Sequence, residues 1–107
     1  MDLKQYQFVL INLDQTQGSE MKKTRPCVII SPNEMNKYLQ TIIIAPLTTQ
    51  SKNYPTRIKT NLQNTMCWIA IDQIRTIDRN RIIEILGSLS AVEIQKTKAT
   101  IKEAFVD

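Results

Sequence analysis

Cys27-Val28-Ile29-Ile30 and Thr41-Ile42-Ile43-Ile44-Ala45 are the runs on which the fold turns. Both are continuously apolar, where a half-buried strand would alternate, so both read as central strands buried on two faces and as the heart of the core. Working outward, polar segments separate further β-rich runs: Gln7 to Leu13, Thr56 to Lys59, Met66 to Ile71 and Arg81 to Leu86. Short strands at such spacing predict a small barrel or sandwich.

Two stretches break the strand pattern. Ser31-Pro32-Asn33-Glu34 combines a capping Ser, Pro at the first helical position and Glu three residues after the cap, which predicts a short helical turn reaching about Tyr38. Ser90-Ala91-Val92-Glu93 repeats the capping box, with Leu89 and Ile94 placed as a hydrophobic staple, and predicts a C-terminal helix. Ile94, Thr97, Ile101, Ala104 and Phe105 share one face of that helix and should pack on the barrel. Gln95, Lys96, Lys98, Lys102 and Glu103 point away, as a solvated face or a cationic one. Gly18 and Gly87 read as loop punctuation.

The chain has 107 residues, enough for one modest core, and is expected to form one domain over residues 1–107. With 42% apolar and 22% charged residues its composition is globular, not that of a disordered chain. The net charge of +4 favours an anionic partner without choosing among RNA, DNA, acidic peptide and lipid. The longest apolar stretch, Ile42 to Leu47, is far below membrane-spanning length, and Met1-Asp2-Leu3-Lys4-Gln5 lacks the apolar region of a signal peptide. A cytoplasmic protein without a membrane segment is expected. Cys27 and Cys67 each sit inside an apolar run and read as small buried hydrophobes in a reducing compartment.

The sequence contains no histidine, which removes the usual general base near neutral pH and the commonest transition-metal ligand. Catalysis must then draw on carboxylates, Arg, Lys, hydroxyls or Tyr, and no metal site or cofactor is expected. Three polar segments hold such groups. Asp14 to Pro26 is long for a hairpin connection and sets Glu20 beside Lys22, Lys23 and Arg25, a carboxylate near cations that suits phosphate chemistry, though a solvated loop has the same composition. Thr48-Thr49-Gln50-Ser51-Lys52-Asn53-Tyr54-Pro55 follows a buried strand with groups that grip phosphate, read base edges or, at Tyr54, stack a base; a β-turn region is the plainer reading. Asp72 to Arg81 is dense in charge, and structural use is favoured there, with Asp78 capping or turning the chain.

These segments resemble a known family. Gly18-Ser19-Glu20, then Arg25-Pro26 and the run Cys27 to Ser31, resemble the signature after the first strand of the MazF/PemK toxins. Ala45-Pro46-Leu47-Thr48-Thr49-Gln50-Ser51-Lys52-Asn53-Tyr54-Pro55 resembles that family's second loop, and Asp72-Gln73-Ile74-Arg75-Thr76-Ile77-Asp78 with Gly87 and the last helix resembles its final third. The order is kept across nearly the whole chain. The chain departs from the family where Tyr6 and Gln7 replace the usual Gly-Asp or Gly-Glu opening of the first strand, and where Ser19 stands in place of the His of some PemK-type members.

The resemblance implies a mainly β, small SH3-like barrel with a short internal helical turn and a C-terminal helix. It also implies a two-fold homodimer and metal-independent cleavage of single-stranded RNA by 2′-OH attack. Carried over by position, Glu20 is the base, Arg25 stabilises the charged phosphorane and Thr48 holds a phosphate oxygen. Ser19, Lys22, Lys23, Thr49, Gln50, Ser51, Tyr54 and Gln73 are the implied RNA-binding residues. The implied inhibitor is an antitoxin with an acidic, partly disordered segment that folds over the basic loops. The same fold serves CcdB-like toxins that bind DNA gyrase and cleave nothing, and an inactive RNA-binding module is the third reading.

Overall fold

The computed structural model describes residues 2–13, 23–50 and 54–106. Strand β1 (Gln7–Asn12) pairs antiparallel with β2 (Thr24–Ile29), followed by helix α1 (Asn33–Tyr38) and the long strand β3 (Thr41–Thr48). Then come β4 (Arg57–Leu62), β5 (Thr65–Ala70), a 3-10 turn (Ile71–Gln73), β6 (Arg75–Asp78), a second 3-10 turn (Arg79–Arg81), β7 (Ile82–Ser88) and helix α2 (Ala91–Phe105). The sheet runs β4-β5-β3-β2-β1-β7, with β6 also on β3. It is a mainly β, curled half-barrel with a C-terminal helix. Among the described residues no helix is long and apolar enough to cross a membrane.

β3 makes the barrel. One of its edges pairs with β2 from Ile44 to Pro46; the other is divided, Thr41 to Ile44 pairing with β6 and Leu47 and Thr48 with β5. A strand that changes partners halfway bends the sheet around it, and both faces are buried as the apolar runs require. Along β2 and β3 successive side chains alternate between two cores. Cys27, Ile29, Ile42 and Ile44 join Val9, Ile11, Ile77 and Ile82 inside the barrel. Val28, Ala45 and Leu47 join Phe8, Ile58, Cys67, Ile69 and Leu89 on the other side, where Ile94 and Ile101 of α2 pack.

The capping box before α2 forms: Ser90 Oγ accepts the Glu93 N–H at 3.2 Å, and Glu93 Oε1 accepts the Ser90 N–H at 2.8 Å. Glu93 also accepts the hydroxyl of buried Thr60 on β4, which fastens the helix to the sheet. Burial works to raise the Glu93 pKa, but the hydrogen bonds from Thr60 and Ser90 outweigh it and hold the carboxyl below its usual value. Leu89 and Ile94 meet in the same core as the staple predicts. The apolar face is shorter than expected, since Thr97 is buried and Ile101 half-buried but Ala104 and Phe105 are exposed. The sheet beneath α2 ends before its last turn is covered.

Four local expectations change. Ser31 is not the cap of α1: the helix begins one residue later, after Pro32, and no side chain caps it. Ser31 is buried instead, its Oγ donating to Asn36 Oδ1 and accepting the Ile43 N–H at 3.1 Å, because β3 supplies an orphan donor that outcompetes the helix end. Gly87 lies inside β7 at φ +148, where the register against β1 shifts between Phe8 and Val9, so it makes a bulge and not a loop. β6 arises within the charge-dense segment Asp72 to Arg81, where no strand was expected. β2 starts at Thr24, so Arg25 and Pro26 belong to a strand and not to the loop before it. The β2–β3 pairing ends at Cys27, where Pro26 has no donor to contribute.

Tyr6 carries φ 71 just before β1, a left-handed bend that Gly would adopt at lower cost. Its N–H donates to Ile29 O at 2.7 Å and its carbonyl accepts the Leu89 N–H at 2.9 Å, which hold the bend without Gly.

Candidate active site

Along β2, Arg25, Cys27 and Ile29 point to one side, and Arg25 is the last of this row before the barrel opens. Its Nε donates to Leu47 O at 3.2 Å, which turns the guanidinium across the end of β3. Cys27 opposite Pro46 is the last pair of the β2–β3 ladder, and Arg25 and Thr48 lie beyond it toward the same end of the two strands. The barrel mouth holds a cavity of about 200 Å³ lined by Arg25 and Arg75, with Gln73 and Pro46 at the rim and Ile11 and Cys27 beneath. Two cations with one amide over an apolar floor make a receptor for a phosphate.

The Cys27 thiol below them is inert. Burial pushes it up to about 12, while the Arg25 and Arg75 charges pull the other way and lose. Cys67, also buried, is raised for the same main reason. Both cysteines are free and buried, as read from the sequence.

Thr48 ends β3. Its Oγ1 accepts the Gln50 N–H at 3.2 Å and donates to Gln50 O at 3.1 Å, so Gln50 serves the turn that shapes Thr48. To donate to a ligand, the Thr48 hydroxyl swings off the Gln50 carbonyl and gives up one exposed hydrogen bond, a cost of about 1 kcal/mol. Thr49 and Gln50 are exposed beyond the strand end. Lys23 is exposed, and its carbonyl accepts the Leu13 N–H at 2.8 Å, which places it next to a residue lining the arginine cavity. Tyr54 lies elsewhere: its ring meets the Arg57 guanidinium 5.4 Å from the centroid. Ser19, Glu20, Lys22 and Ser51 lie outside the described residues.

Sequence reasoning overlooked Arg75. It stood in a segment assigned to structure, and its only signal was charge density after the fifth strand. The pairing of Ile44 with Arg75 carries it to the cavity. Asp78, in the same segment, is structural as expected. Asp78 Oδ1 accepts the Asn80 N–H at 2.8 Å and Gln40 Nε2 at 3.0 Å, which lower its pKa. Among the described residues no three of His, Cys, Asp and Glu gather closely enough to hold a metal ion.

Gln73 is aimed by its neighbour. Arg57 holds Asp72 with two hydrogen bonds, Nε to Oδ1 at 2.8 Å and Nη2 to Oδ2 at 3.1 Å, and Thr56 Oγ1 adds a third at 2.9 Å. These bonds pin the 3-10 turn that ends in Gln73. Above all the Arg57 hydrogen bonds hold the Asp72 carboxyl at about 2, below the ordinary 3.8. A depressed carboxylate adds stability that is full above its unfolded pKa and is lost as pH falls through its folded one. Asp72→Asn should therefore lower the unfolding free energy near neutral pH by at most about 1 kcal/mol, because the carboxylate is 38% exposed and solvent screens it. The gap between the two proteins should close as pH falls from about 4 to about 2, measured by urea titration at each pH. A gap that persists unchanged at pH 2 contradicts this origin.

Residues 4–105 match the family of PemK-like, MazF-like toxins of type II toxin-antitoxin systems. The chain is 33% identical over 94 residues to the endoribonuclease toxin MazF of Escherichia coli K12, covering 87% of this chain and 85% of that protein. It is 35% identical over 99 residues to endoribonuclease MazF of Staphylococcus saprophyticus, covering 86% and 82%. In fold it is similar to the MazF of a MazE-MazF structure from Deinococcus radiodurans, with TM-score 0.81 at 20% identity over 97% of this chain and 96% of that one. A mycobacterial endoribonuclease solved with its cognate antitoxin gives TM-score 0.78 at 18% identity over 96% and 92%. The chain belongs to the PemK-like, MazF-like toxins of type II toxin-antitoxin systems, the family in which these relatives carry the name endoribonuclease.

Proposed function

We propose that this endoribonuclease toxin cuts single-stranded RNA at short sequence words, with no metal ion, through the substrate's own 2′-OH. The observation that carries the reading is the pair Arg25 and Arg75 around one cavity, with Thr48 at the nearby end of β3, next to the Leu47 carbonyl that holds Arg25. RNA supplies the nucleophile: the 2′-oxygen attacks the adjacent phosphorus in line, the bond to the 5′-oxygen breaks, that oxygen takes a proton from solvent water, and the products are a 2′,3′-cyclic phosphate and a 5′-OH. Glu20 takes the 2′-OH proton. Its segment leaves from Leu13 and returns to Lys23, two residues bonded to each other, and Leu13 lines the arginine cavity.

Arg25 stabilises the added negative charge of the phosphorane. Arginine keeps its proton in a protein, so its role is electrostatic and not that of an acid. Arg75 adds a second fixed charge, Thr48 holds a phosphate oxygen, and Gln73 contacts the strand at the rim. Ser19, Lys22, Lys23, Thr49, Gln50, Ser51 and Tyr54 complete the RNA-binding set by resemblance. The protein acts as a homodimer of one-domain chains. Its antidote is an antitoxin whose acidic flexible segment lies over the arginine cavity; the similar solved structures include a MazE-MazF complex and an endoribonuclease with its cognate antitoxin.

The test is incubation of the purified protein with a long single-stranded RNA, and with DNA of the same sequence, in excess EDTA. Discrete RNA cuts with 5′-OH ends and 2′,3′-cyclic phosphates are expected, with the DNA intact, because DNA lacks the attacking hydroxyl. Intact RNA with a folded protein rejects the reading, and inhibition of DNA gyrase by the same preparation replaces it with a gyrase-binding toxin.

A further inference from the structure

Beside Thr48, at the same end of β3, lies a second cavity of about 210 Å³. Its floor is apolar: Pro26, Leu47, Leu62 and the buried Cys67. Its rim is polar: Thr49, Gln63 and Thr65 are exposed, and their side chains make no hydrogen bond to another described residue. Leu47 joins the two cavities, because its side chain lines this one and its carbonyl holds Arg25 of the other.

The rim is set by a tight turn with an uncommon residue at its first position. β4 and β5 pair up to Leu62 opposite Thr65, leaving Gln63 and Asn64 as a two-residue turn with φ 49 and 66. Such a turn favours Asn-Gly, and a long side chain at its first position costs roughly 1 kcal/mol. The turn sets Gln63 beside Thr65 at the mouth of the cavity.

We infer that this cavity takes one nucleobase of the RNA strand, the base flanking the phosphate held by Arg25 and Thr48, and that Gln63, Thr65 and Thr49 read its edge. The inference rests on the reading of the arginine cavity as the cleavage site. A base has two apolar faces and a polar edge, which match the apolar floor and the rim of one amide and two hydroxyls. The volume is below the roughly 300 Å³ at which drug-sized ligand sites begin, so a single ring system fits and a folded peptide segment does not. Leu47 and Thr48 line this cavity and the Leu47 carbonyl holds Arg25, so a strand whose phosphate sits at Arg25 has a neighbouring base within reach.

Two measurements test it. The first maps the cut words of the wild type, Gln63→Gly and Thr65→Val on one long RNA; Gly relieves the left-handed turn and Val keeps the shape of Thr, so both variants fold. Each should cut the preferred word more slowly and lose about ten-fold of its preference at one position beside the cut, with the other positions unchanged. The second follows the methyl NMR signals of Leu47, Leu62 and Thr65 while each of the four ribonucleosides is added at millimolar concentration. At least one nucleoside should shift these signals in the wild type, and more weakly in Gln63→Gly. Identical cut words in all three proteins overturn the assignment. Should the wild type cut no RNA, the cleavage reading falls by itself, and the nucleoside titration still decides the cavity: signals that none of the four moves overturn it.

Discussion

Purified Arg25→Ala protein should cut RNA about 10²- to 10³-fold more slowly than the wild type, with its fold intact. That range is the usual effect of deleting one preorganised donor aimed at developing charge. Arg25 occupies that position: its Nε is committed to Leu47 O at 3.2 Å, and the rest of the guanidinium faces the cavity it shares with Arg75. On the proposed mechanism, the Leu47 bond holds the side chain so that its charge would meet the phosphorane without reorganising.

Arg25→Lys separates the two contributions. Lysine restores the charge but offers no planar fork to hold Leu47 and the phosphate together, so it should recover only part of the loss. The rates are read from single-turnover cleavage of one short RNA containing the preferred word, with thermal unfolding as the check on folding. An alanine variant that cuts at the wild-type rate removes Arg25 from the mechanism.

Ile29→Ala should cost about 2 to 5 kcal/mol of stability, a large share of the roughly 5 to 15 kcal/mol that a domain of this size has. Ile29 has 0% exposure and points into the barrel with Val9, Ile42, Ile44 and Ile77, where β1, β2, β3 and β6 converge. Its strand pairs on both edges and cannot shift inward to close the cavity that three lost carbons would leave. Ile83→Ala is the control. Ile83 on β7 is 46% exposed, so the same change should cost at most about 1 kcal/mol. Urea unfolding midpoints measure both; equal losses at the two positions contradict the placement of the barrel core at Ile29.

The candidate site was legible in part. Arg25 and Thr48 were found by their resemblance to family motifs, and β2 and β3 deliver them to one strand end. Tyr54 was singled out as a stacking residue near the end of a polar segment; its ring is half-exposed and meets the Arg57 guanidinium. Arg75 was passed over because Asp72 to Arg81 has the look of a charged loop. Only its pairing with Ile44 across a strand ladder brings it to Arg25.

The sequence by itself determined what depends on near neighbours and on burial. The unbroken apolar runs at Cys27 and Thr41 specified strands buried twice, because no solvent-facing residue interrupts them. The box Ser90 to Glu93 specified the start of α2, because both partners of each hydrogen bond lie within three residues. Family membership was readable in the spacing of its motifs. The tertiary structure alone decided which strand edges meet. It made β6 from a charge-rich segment because half of one β3 edge was open to a partner, and it drew Ser31 away from the helix end because β3 presented an unpaired N–H. It placed the bulge at Gly87 where β1 and β7 fall out of register. Each of these depends on a partner distant in the chain, and a pattern of local burial and capping does not name that partner.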